Sequence, residues 1–263
     1  MRTSATLLAA LLLAGIAGCG DDGGAEPVPP PASSASPAAQ PDPDARLALA
    51  GRAALAADRS YTAVYTFKAS DQGERSVMAT VAADGSWRVD IPGGALGGAV
   101  DVAIAETAAG LFQCALSSAS YAITPSCVRL GDKGERVPKK YDPKVERVFR
   151  QWLPVFTDRQ AALSVGTALP LDGSAGQCYS VDSISASLSA PVDVGIYCYA
   201  DDGLLTAARV TFGTITLAGT PAAGPATIDL PGPVTGGEPL SLDAPPVVPV
   251  VPSASVAVPS PSA

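Results

Sequence analysis

Alternation of apolar and polar side chains, punctuated by Asp-Gly, most restricts the folds open to this chain. In SYTAVYTFKAS, Tyr61, Ala63, Tyr65 and Phe67 alternate with Thr62, Val64, Thr66 and Lys68, the period of a half-buried β-strand. VMATVAADGSWRVDI reads as a hairpin: Asp84-Gly85 supplies a two-residue turn, and Trp87, Val89 and Ile91 share one face. GAVDVAIAE and GLFQCAL continue the meander. QCYSVDS follows after an interruption, and then DVGIYCYADDGLLTAARVTFGTITLA, which turns at Asp202-Gly203. Strands joined by turns this short pair antiparallel.

Helical signals occupy two places. Asp42 caps and Pro43 starts a helix through DARLALAGRAALAADR, with Leu47, Ala50, Ala54 and Leu55 as its apolar stripe. In YDPKVERVFRQWLP, Asp142 caps and Pro143 starts. Val145, Val148, Phe149, Trp152 and Leu153 then recur as i, i+3, i+4, i+7 and i+8, one buried face. Pro154 should break or kink this helix, and Thr157 with Gln160 has the capping-box spacing for a short further helix through Leu163. Long antiparallel strands with one helical insertion imply an α+β domain with helices packed on one face of the sheet.

The ends of the chain read differently. Ala5 to Ala17 is apolar apart from Thr6, too short for a bilayer span but right for the core of an export signal over residues 1–18. Ile16-Ala17-Gly18-Cys19 resembles the lipobox of bacterial lipoproteins. The resemblance implies that Cys19 is diacylated and anchors the chain to the extracytoplasmic face of a cell membrane. Two acyl chains suffice for a stable anchor. Residues 19–42 are rich in Pro, Ser and Ala and read as a disordered linker; 221–263, ending PPVVPVVPSASVAVPSPSA, read as a second Pro-rich disordered segment. The folded domain is expected over 43–220.

Four further cysteines, Cys114, Cys127, Cys178 and Cys198, suit disulfides in an exported chain. They allow three pairings; proximity on flanking strands of hairpins favours Cys114–Cys127 and Cys178–Cys198. The net charge of −8 disfavours nucleic acid as a partner. Histidine is absent, which removes Ser-His-Asp and Cys-His catalysis and histidine-ligated zinc. GGALGG, Gly93 to Gly98, holds no dinucleotide fingerprint and reads as a connection. Asp201 and Asp202 suit a turn better than a metal, and Asp90, Asp101, Glu106 and Glu146 show no spacing that selects a catalytic pair. These readings point to a non-catalytic protein without cofactor or metal.

The element order resembles the LolA/LppX/RseB-like fold of bacterial envelope proteins. The matching parts are a leading helix before SYTAVYTF, the SWRVDIPG strand, the GLFQC strand, the central helix and the closing hairpin. The resemblance implies a curved antiparallel sheet, a half-barrel, with helices packed on its concave face over a hydrophobic cavity. The expected function is to bind or carry lipids or other amphiphiles, with Val145, Val148, Phe149, Trp152 and Leu153 bordering the cavity. Small strand residues such as Ala79 and Ala103 would leave it room. The alternative is an envelope interaction or sensory module without a ligand.

Overall fold

The computed structural model describes residues 42–69, 73–118, 122–184 and 191–244. The expected export signal, Cys19, the linker up to residue 41 and the segment beyond 244 lie outside the described residues. Helix α1 (Pro43–Asp58) leads into β1 (Tyr61–Ala69), β2 (Glu74–Val81), β3 (Trp87–Ala95), β4 (Val100–Thr107), β5 (Gly110–Ala115) and β6 (Ser126–Gly131). A 3-10 turn (Val145–Val148) and α2 (Leu153–Thr157) follow. The chain then forms β7 (Leu163–Ala168), β8 (Gln177–Ser183), β9 (Gly195–Tyr199), β10 (Leu205–Val210) and β11 (Gly213–Ala223).

All eleven strands belong to one antiparallel sheet in the order β6-β5-β4-β3-β2-β1-β11-β10-β9-β8-β7. Two meanders therefore meet where β1 pairs with β11, Tyr65 opposite Leu217. Register breaks at Thr62/Val64, Ile91/Ala95, Leu111/Phe112 and Leu205/Ala207 bend the strands locally.

The α+β expectation, with helices packed on the concave face of a half-barrel, is overturned. The sheet is open, and the described residues hold two α-helices, of 16 and 5 residues. The longer one packs on α2 and on the edge strand β7. The expected central helix fails to form for a local reason. Lys144 adopts the left-handed conformation (φ 69°), the following residues tighten into the 3-10 turn, and Pro154 sits in the first turn of α2. A proline that breaks a helix interior is welcome at a helix start, so it restarts the chain here. Thr157 ends α2, bonding back to the Leu153 and Pro154 carbonyls, and the next regular element is β7. The apolar side chains still fall on one side, because successive turns satisfy the same spacing.

One face of the sheet carries the main core. Tyr61, Ala63, Tyr65 and Phe67 of β1, with Trp87, Val89 and Ile91 of β3, are buried there as their alternation predicts. Tyr65 meets Phe149 with ring centroids 4.8 Å apart, and Phe156 meets Tyr197 at 5.0 Å. Each such side chain contributes about 1.5–3 kcal/mol by burial.

Helix α1 begins as predicted, with Asp42 Oδ1 accepting from Asp44 N at 2.9 Å. It buries a different face from the expected stripe: Ala45, Leu49, Ala53 and Ala56 face inward, while Leu47 and Leu55 are 63% and 49% exposed. An alanine-rich helix is apolar on nearly every side, so its docking partner selects the face. That partner includes the Asp201–Gly203 turn, which Arg52 and Arg59 hold by ion pairs to Asp201 and Asp202. A Cβ on Gly203 (φ +83°) would lie 2.5 Å from Ala56 N.

Both sheet edges are covered, which removes the exposed templates that invite aggregation. At β7, Asp42 N donates to Val165 O, and Arg46 reaches the carbonyls of Asp158, Ala161 and Leu163. At β6, residues 233–235 bond both ways to the Cys127 backbone. The chain after β11, read from sequence as the start of a disordered segment, follows a defined course to residue 244. It bonds to Ala83, Asp84 and Ser86, sets Leu230 on the outer face, passes the β6 edge, and brings Leu240 onto the main core. Gln113 clamps this return: Nε2 donates to Leu240 O and Oε1 accepts from Leu240 N.

Candidate functional site

A cleft of about 510 Å³ opens where the end of β1, the start of β2, the end of β3 and the β10–β11 turn meet the segment leading into the 3-10 turn. Phe67, Ala69, Ile91, Val145, Phe212 and Leu242 supply apolar walls; Arg75, Asp142 and Lys144 supply charge. The size falls within the roughly 300–1,000 Å³ of ligand pockets.

Arg75 crosses the wall with its guanidinium 5.5 Å from the Phe67 ring centroid, and Nη1 donates to the Pro92 and Gly93 carbonyls at 2.7 and 3.1 Å. The GGALGG connection forms the opposite lip. Gly97 (φ +68°) donates to Leu242 O at 2.7 Å, and a Cβ there would meet the Ala244 side chain at 2.8 Å. Glycine is required at that point, because the returning chain closes on the backbone itself.

Lys144 sits at the rim, exposed and without an ion pair among the described residues. Its left-handed backbone is held by Asp142, whose Oδ1 accepts from Lys144 N at 2.7 Å. Asp142 is buried and also accepts from Arg147 Nε and Nη2. Arg147 reaches Asp193 at 3.4 Å, and Trp152 Nε1 donates to Asp193 Oδ2 at 3.2 Å. Glu146 lies among these groups, 1% exposed. Burial, reinforced by neighbouring Asp142, pushes its carboxyl well above the usual carboxylate range.

Of the five residues expected to border a cavity, Val145 lines this cleft. Val148, Phe149, Trp152 and Leu153 are buried in the packed core. Ala79 lies in that core as well, whereas Ala103 belongs to a separate cluster on the outer face. Phe67, Arg75, Lys144 and Phe212 escaped the sequence reading as site residues. The one local signal was GGALGG, whose flexibility marks a close backbone approach.

Cys114 and Cys127 form one disulfide and Cys178 and Cys198 another, each between directly paired residues of neighbouring strands. Asp201 pairs with Arg52 of α1 and Asp202 with Arg59, the residue that follows the helix, consistent with a turn role. Asp90 is held by Arg88, Asp101 accepts from Gly93 N, and Glu106 accepts from Trp87 Nε1. No family model matches the chain, and no curated protein matches it.

Proposed function

We propose that this chain is a lipid-anchored, extracytoplasmic, non-catalytic lipoprotein whose folded domain holds an amphiphile in the 510 Å³ cleft. The supporting observation is the cleft's composition: apolar Phe67, Ile91, Val145 and Phe212 in the walls, and at the rim the Lys144 ammonium, which makes no ion pair among the described residues. An acyl chain fits the first and an anionic head the second. The cleft is the support for lipid binding, since the fold expected from the family resemblance did not form. Anchoring rests on the sequence around Cys19, and the two disulfides agree with an oxidising compartment.

Native mass spectrometry of protein purified from its own membrane, beside binding of a fluorescent fatty acid, tests this reading. Saturable binding that is lost in Ala69→Leu, which fills the cleft wall, supports it. Absence of both co-purified lipid and saturable binding overturns it in favour of an interaction or sensory module. Acyl labelling that persists in Cys19→Ala would sink the anchor independently.

A further inference from the structure

The described residues stop at the lip of the 510 Å³ cleft. Leu242 lines the cleft, and its N–H donates to Lys140 O, while Leu96 N and Gly97 N donate to the Ser241 and Leu242 carbonyls. Ala244 lies against Gly97, another lining residue, where an added Cβ would meet the Ala244 Cβ, Cα and N at 2.8, 3.2 and 3.4 Å. Residues 245–252, the next in the chain and outside the described residues, read PPVVPVVP. We propose that this segment seats in the cleft as an internal occupant, which an amphiphile must displace in order to bind.

The chemistry of the two surfaces matches. Phe67 and Phe212 meet edge to face in the cleft wall with ring centroids 6.2 Å apart, an aromatic lining of the kind that Pro-rich segments dock against. No side chain of PPVVPVVP is polar or charged. At three residues per turn of a polyproline helix, Pro246, Pro249 and Pro252 make one ridge, Val247 and Val250 a second, and Val248 and Val251 a third. Whichever ridge turns inward is therefore apolar. The four prolines bring no N–H, so they add no donor that the apolar walls would leave unsatisfied. The carbonyls of the segment need donors, and Lys144 in the lining, which makes no ion pair among the described residues, can supply them.

Reach and attachment favour this chain's own segment over a separate partner. Eight residues span about 25 Å in the polyproline conformation, about three times the width of a 510 Å³ space. Attachment at the lip gives a millimolar effective concentration, so modest contacts suffice for occupancy. A second copy would offer the same segment only at the protein's solution concentration. The consequence for lipid binding rests on the amphiphile reading of the cleft; the docking itself does not.

The test uses the full chain with Cys19→Ala, so that no detergent competes for the cleft. Its amide NMR spectrum is compared with that of the same chain carrying Val247→Asp and Val250→Asp. The expected result is a shift of the Gly97, Lys144 and Phe212 amides between the two. A synthetic peptide of residues 245–263 should return the double-Asp chain toward the parent spectrum, and the parent should need at least fivefold more peptide. That ratio follows for an effective concentration of several millimolar and a dissociation constant in trans below about 1 mM. Ala69→Leu, which fills the cleft wall, should abolish the peptide response. Should the double-Asp chain fail to fold, a chain ending at Ala244 serves as the second variant. The proposal is overturned by identical spectra of the two chains, by no response up to about 5 mM peptide, or by a response that survives Ala69→Leu. Parent shifts that grow with protein concentration assign the docking to a second copy and also overturn it. A fluorescent fatty acid should bind the double-Asp chain at least fivefold more tightly than the parent; equal saturable binding overturns the competition. Absence of fatty-acid binding by both chains fails the amphiphile reading alone, and the amide shifts then decide the docking.

Discussion

In the β1–β6 half of the sheet, the Cys114–Cys127 bond ties the outermost strand to β5, its one neighbour in the sheet. In the β7–β11 half, Cys178–Cys198 joins β8 and β9, each flanked by a further strand. Both bonds lie in small clusters on the face away from the main core, but the clusters are completed differently. Leu230, far along the chain, covers the first; Leu171, from the loop between β7 and β8, belongs to the second. Thr206 holds that loop locally, bonding both ways to the Ala175 backbone. One half thus closes on itself, while the other depends on the returning chain. Equivalent covalent links can therefore carry different structural consequences.

The largest effect should come from a site that both halves share. Trp152 is 3% exposed and reaches Asp193 just ahead of β9. Trp152→Ala should cost about 3–5 kcal/mol and lower protection from hydrogen exchange in both halves together. Loss confined to β7–β11 would show that the halves unfold separately.

Next come the disulfides. Sequence separations of 13 and 20 residues predict similar losses, about 3 kcal/mol each, on the chain-entropy account. Local behaviour should separate them. Replacing Cys114 and Cys127 with alanine should expose the amides of residues 233–242 to exchange, whereas replacing Cys178 and Cys198 should leave those amides protected. Equal responses would remove the distinction between the halves.

A smaller loss, about 1–3 kcal/mol, is expected for Gln113→Leu, which leaves the Leu240 backbone without its buried partners. Limited proteolysis should then cut the returning chain first. Thr206→Val is the matched change in the other half, and it should open the 171–176 loop without touching that chain.

The smallest effect is pH-dependent and arises at two adjacent residues. Arg147 is paired with Asp193, on the approach to β9, whereas the Glu146 carboxyl is buried beside Asp142. The folded state raises the Glu146 carboxyl above its unfolded value. Below the unfolded value, near 4.3, both states are protonated and no penalty arises. As pH rises above it, the unfolded chain ionises first, so Glu146 costs stability until its folded carboxyl titrates. Glu146→Gln should therefore match wild type near pH 4 and become relatively more stable toward neutrality, by up to about 1.4 kcal/mol per pH unit across that window. Parallel denaturation curves at pH 4 and pH 7 measure the difference; a constant offset would contradict it.

The residues themselves show where sequence reading reached its limit. Strand faces such as Tyr61-Ala63-Tyr65-Phe67 were legible because a period of two is imposed by the strand backbone. The Asp84-Gly85 and Asp202-Gly203 turns were legible because Gly85 and Gly203 need positive φ. The cysteine pairs were legible because each lies on neighbouring strands of a meander. The buried face of α1 was not, since an alanine-rich surface gives no strong preference. Nor was the 142–157 segment: Val145, Val148, Phe149, Trp152 and Leu153 are buried as the spacing demands, in a 3-10 turn and a short helix instead of one long helix.

By itself, then, the sequence determined the antiparallel strands, their tight turns, the inward faces and the local disulfide partners, because each depends on neighbours along the chain. Tertiary structure decided the open eleven-stranded order, the docking of α1 at the β7 edge, and the return of residues 224–244 around β6. It also assembled the cleft from Phe67, Arg75, Val145, Phe212 and Leu242, and buried the Glu146 carboxyl. Those outcomes rest on contacts between residues far apart in sequence, whose energies no local pattern records.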